Sequence, residues 1–134
     1  MSKAQVHIIP DYQILPSAPK ISIVCVSGTP SQVSEFVKKR YGVKVVIDDK
    51  CVGSTSEYTN TFTKNKDIVA LFHRDNLDIN TIAHECVHIV TRLFEDIGVE
   101  GCDFTKDGDD ELLAYPVGDL VENISDNLLC QKKN

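Results

Sequence analysis

The apolar pattern of this chain changes period at Asp78, and that change limits the folds open to it. Before Asp78 the apolar residues come in short Val- and Ile-rich runs at 5–9, 21–26, 43–47 and 68–72, each bounded by Pro, Gly, Asn or Asp, which is strand patterning. The polar, Ser- and Thr-rich stretch 51–63 is expected to add a strand or hairpin arm. One short helix interrupts them: Thr29-Pro30-Ser31 is a start signal, Val33, Phe36 and Val37 form an apolar face, and Gly42 closes the segment. After Asp78 the step becomes three and four. Ile79, Ile82, Ala83, Cys86, Val87, Val90, Leu93, Phe94 and Ile97 mark one amphipathic helix, capped by Asp78 and ended by Gly98. Leu113, Val117, Leu120, Val121, Ile124 and Leu128 mark a second, with Asp109, Asp110 and Glu111 suited to the positive end of its dipole. Strands first and long helices last predict an α+β domain with a small, mostly antiparallel sheet. No repeat or linker divides the chain, so residues 1–134 are expected to form one domain.

Composition narrows the partners. The formal charge is −6, from 14 basic and 20 acidic residues, and no run of Lys and Arg could track a phosphate backbone, so nucleic acid is not expected. No apolar stretch approaches the length of a membrane span, and the first ten residues lack a basic segment followed by an apolar one. The five cysteines are odd in number and contain no C-x-x-C pair, which suits a reducing, cytoplasmic setting. Cys25 and Cys86 fall inside apolar segments and read as small core residues.

Chemistry is concentrated in the first long helix. His84-Glu85-Cys86-Val87-His88 spells H-E-x-x-H, and a spacing of four puts both imidazoles on one face, a turn apart, where a single divalent ion can bridge them. Glu85 is displaced around the helix, so its carboxylate can serve a zinc-bound water as general base without being a ligand. Zinc lowers the pKa of such a water to about 7, within reach of a carboxylate base. A third protein ligand is needed, and Glu111 is the candidate, with Asp110 or Cys102 as substitutes. Glu111, Tyr115, Gly118 and Glu122 align at helical steps, a face expected to pack on the motif helix with Gly118 permitting close approach. The Tyr115 hydroxyl is a candidate donor to a developing oxyanion, although a packed aromatic would carry the same spacing. His73 is expected at the surface, at a strand end.

H-E-x-x-H followed 23 positions later by the Glu of Glu111-Leu112-Leu113-Ala114-Tyr115 resembles the gluzincin pattern of zinc metallopeptidases. The layout is similar to that of small phage and prophage proteins of the repressor-cleaving family loosely called ImmA/IrrE-like: a few strands, the motif helix, then a glutamate helix. The resemblance spans roughly residues 68–121 and implies a minimal zincin fold, Zn2+ as cofactor and hydrolysis of peptide bonds. It also implies an edge strand just before the motif helix, at 68–73, that binds a peptide or protein substrate in extended form. The chain departs from larger gluzincins at Tyr115, where they carry Asp, and at Pro116, which is expected to kink or delay the second helix. A different function class fits the same scaffold: a binding or regulatory protein, such as a phage accessory factor, without peptidase activity. Glu85 separates the two, because structural metal binding has no need of it.

Overall fold

Four strands and three helices make up the fold of the computed structural model, which describes residues 3–47, 53–98 and 109–133, the side chains of 109–112 and 130–133 excepted. Strands β1 (Gln5–Tyr12), β2 (Ile21–Gly28), β3 (Gly53–Thr59) and β4 (Lys66–His73) form one mixed sheet in the order β1-β2-β4-β3. β1 with β2 and β3 with β4 are antiparallel, whereas β2 and β4 run parallel, from Ser22 opposite Asp67 to Gly28 opposite His73. The parallel pair needs a crossover, and helix α1 (Pro30–Tyr41) lies within it. Thr29 and Gln32 form a reciprocal capping box at the start of α1, and Gly42 ends it in the left-handed region at φ 68°.

The sheet is covered on both faces. Ile23, Cys25, Ile68, Ala70 and Phe72 face helices α2 (Ile79–Asp96) and α3 (Asp109–Lys133), which add Ile82, Cys86, Ile89, Val90, Leu93, Leu120, Ile124 and Leu128 to that core. Val24, Val26, Val69 and Leu71 point the other way, onto Val33, Val37 and Tyr41 of α1. Burial on both faces is why β2 and β4 read as nearly unbroken apolar runs. The α+β expectation therefore holds, with two of the three strand pairings antiparallel.

Three sequence expectations need correction. Residues 43–47 are not a strand: Val43, Val45 and Ile47 pack beside the α1 core and Val46 is 86% exposed, but the segment joins no ladder. Its alternation records one-sided burial, which a covering segment shares with a strand. The strand before the motif helix, expected at the sheet edge, is β4, and it is interior, paired with β2 on one side and β3 on the other. The edges belong to β1 and to the polar β3, which lies beside β4. Finally, α3 is helical from Asp109 and continues through Pro116, so the proline does not delay its start.

Candidate metal centre

α2 is anchored before the motif begins. Asp78 accepts hydrogen bonds from the Thr81 backbone N–H and from Thr81 Oγ1, both at 2.8 Å, so the first turn is closed by its own side chains. Upstream, the Asp75 N–H donates to His73 Nδ1 at 3.2 Å in the 3-10 turn Arg74–Asn76. His73, expected at the surface, is thus buried and caps that turn.

From this start the motif presents itself as the spacing requires. Ile82, Cys86 and Ile89 face the core, while His84 and His88 face solvent, the His84 side chain being 68% exposed. The two rings converge: their Nε2 atoms are 3.2 Å apart, with centroids at 4.8 Å and planes at 70°. Two nitrogens held at 2.0–2.1 Å by one tetrahedral zinc stand about 3.3–3.4 Å apart, so this pair already has nearly the right bite.

Glu85 is handled differently from its neighbours. It is only 3% exposed, turned onto β3, where Thr55 Oγ1 donates to its Oε1 at 2.8 Å. Its Oε2 remains 4.0 Å from His84 Nε2. Gly53 makes the room, since a Cβ there would come within 3.1 Å of Glu85 Cγ and 3.2 Å of the Leu71 carbonyl. No local sequence pattern points to Thr55 or Gly53, because they precede Glu85 by some thirty positions and meet it only through the packing of β3 beside α2. Beneath the site, burial pushes the Cys86 thiol up to about 12 and the nearby Cys25 thiol higher still, so both are inert core groups rather than ligands.

The other expected residues divide between described and undescribed parts of the chain. Cys51 and Cys102 lie outside the described residues, as do the side chains of Asp110, Glu111 and Cys130. The helical face that Glu111 shares by spacing is turned to solvent: Tyr115 is 71% exposed, Gly118 and Glu122 are exposed, and a Cβ on Gly118 would meet nothing within 4 Å. The expected close packing at Gly118 is therefore not found. α3 packs instead through Leu120, Ile124 and Leu128, with Leu113, Val117 and Val121 beside them. His7, opposite Cys25 in the sheet, hydrogen-bonds Asn123 at 2.6 Å, which ties β1 to α3. Among the described residues, no group of three or more His, Cys, Asp or Glu side chains is gathered that could hold a metal ion.

Comparison with protein-family models, curated proteins and solved structures finds no match to this chain. Among the described residues, no helix is long and apolar enough to cross a membrane.

Proposed function

We propose that this protein is a zinc-dependent hydrolase of peptide bonds, with His84 and His88 as metal ligands and Glu85 as general base. The observation that carries the reading is the convergence of the two Nε2 atoms at 3.2 Å beside a carboxylate held by Thr55. Two exposed histidines with no shared task would gain entropy by splaying apart in water. Bound zinc would supply Lewis acidity, lowering the pKa of water to about 7 and polarising a substrate carbonyl. Glu85 would take the proton of the attacking water and return it to the leaving amine, and its low exposure keeps it in one orientation for both transfers.

The substrate is an extended peptide, and the strand suited to receive it is β3 rather than β4. β3 lies at the sheet edge, and its residues Gly53 and Thr55 touch the proposed base. Added main-chain bonds along that edge would run a peptide past Glu85. The third ligand named by spacing, Glu111, rests on that spacing alone, because the face it shares on α3 is turned to solvent. Tyr115 as an oxyanion donor has the same standing. The buried free thiols Cys25 and Cys86 fit a reducing, cytoplasmic setting.

Glu85→Gln is the test of the mechanism. It keeps the shape of the side chain and is expected to retain zinc while losing peptide hydrolysis by at least about a hundredfold. Equal turnover by variant and parent would remove the base assignment and favour the binding-protein reading. Glu111→Ala examines the third ligand: unchanged zinc affinity would pass that position to Asp110, Cys102 or water.

A further inference from the structure

A cleft of about 530 Å3, a volume typical of small-molecule sites, opens where β2 and β4 begin, beside the last turn of α1. The histidine pair is carried by α2, across the sheet, and shares no residue with it. The floor of the cleft is internally paired. Asp67, 5% exposed, accepts from the Tyr41 hydroxyl at 2.8 Å and from Asn60 Nδ2 at 3.4 Å, and the Arg40 guanidinium forms an ion pair with it at 3.9 Å. That distance is beyond a hydrogen bond, and Arg40 Nε has no acceptor, so the guanidinium still has donors to give. The mouth carries two more charges. Asp11 and Lys20 both line the cleft and are exposed, yet among the described residues no ion pair joins them. Lys66 belongs to the lining too, but its ammonium is drawn to Glu57 at 3.8 Å. Asp11 owes its place to a register shift in β1 between Ile9 and Tyr12, which puts it in the left-handed region at φ 51° and re-aims its side chain. Ile8, Pro19 and Ile21 supply an apolar wall.

We propose that this cleft binds a small zwitterion, a free amino acid or short peptide with an apolar side chain, whose carboxylate is taken by Lys20 and Arg40 and whose ammonium is taken by Asp11. A ligand of one sign would satisfy one rim and leave the opposite charge of the other facing it. A zwitterion meets both, while the paired floor adds no further demand for charge. The apolar wall is where its side chain would lie. The site is independent of the metal centre, so it stands whether or not the chain holds zinc or hydrolyses peptides.

Backbone amide NMR of the full chain, titrated at neutral pH with four probes, tests this. L-leucine and L-leucyl-L-leucine carry both charges, 4-methylpentanoate lacks the ammonium, and isoamylamine lacks the carboxylate. Saturable shifts at Asp11, Ser22, Thr63 and Asn65 are expected with the zwitterions, the tighter of the two showing whether amino acid or peptide is held. Each singly charged analogue is expected to bind at least about tenfold more weakly, the loss of one charge-assisted contact. Lys20→Gln is expected to weaken leucine severalfold and leave isoamylamine unchanged, and Asp11→Asn to weaken leucine and spare 4-methylpentanoate. Lys20 is exposed, and Asn tolerates the left-handed backbone of position 11, so neither change threatens the fold. Absence of a saturable shift with either zwitterion would overturn the proposal, and so would an analogue that binds as tightly as leucine. His84→Ala, which tests the metal centre, is expected to leave these shifts where they are.

Discussion

Glu85 shows how one side chain can be visible in a sequence while its surroundings are not. Its place in H-E-x-x-H identifies it and both histidines, because helical geometry alone puts residues 84 and 88 on one face. The groups that hold it, Thr55 and Gly53, come from a polar strand whose register no local pattern reveals. Removing the Thr55 donor leaves a nearly buried carboxylate oxygen without its partner, so Thr55→Val is expected to lower unfolding free energy by about 1–3 kcal/mol in denaturant melts. Gly53→Ala is expected to cost a similar ~1–3 kcal/mol, through overpacking against Glu85 Cγ and against the Leu71 carbonyl, which the β4 backbone holds in place.

At the scale of the element, the long helices and β1, β2 and β4 were legible because each buries a face whose period is written in its residues. Two misreadings have a common origin. Alternation in 43–47 signals burial on one side but not a neighbouring strand, and spacing in α3 places residues on a shared face without telling which way that face turns. The position of β4 was in fact encoded: its run Ile68-Val69-Ala70-Leu71-Phe72 is apolar on both faces, as an interior strand is, and would be an aggregation hazard at an edge. The polar Gly53-Ser54-Thr55-Ser56-Glu57 run suits the edge it occupies. For α3 the alternatives separate cleanly by substitution. With open space around its Cβ position, Gly118→Ala is expected to raise stability by about 0.5–1 kcal/mol, the helix-propensity gain, in thermal or chemical melts. Tight packing of Gly118 on α2 would make the same change destabilising.

Across the whole molecule, two cores on opposite faces of one sheet fix α2 and β3 relative to each other, and the charges between them couple that arrangement to pH. Because the folded chain raises the Glu57 carboxyl from 4.5 to about 7, the folded state keeps a proton that the unfolded chain has already lost in that interval. Its contribution to stability therefore falls as pH rises from about 4.5 to about 7 and is level beyond. Glu57→Gln is expected to remove this slope, so that the variant gains on the parent at pH 8 relative to pH 5 in melting temperature. Nothing in the sequence singles out Glu57 from the other acids, since its burial follows from β3 lying beside α2.

The measurement that bears most directly on the metal centre is the zinc content of purified chain, determined by elemental analysis alongside His84→Ala and His88→Ala. About one zinc per chain in the parent, lost from both variants while the fold persists by circular dichroism, is the expected result. A parent that takes up no zinc at saturating concentration, or stoichiometric zinc surviving both substitutions, would contradict it.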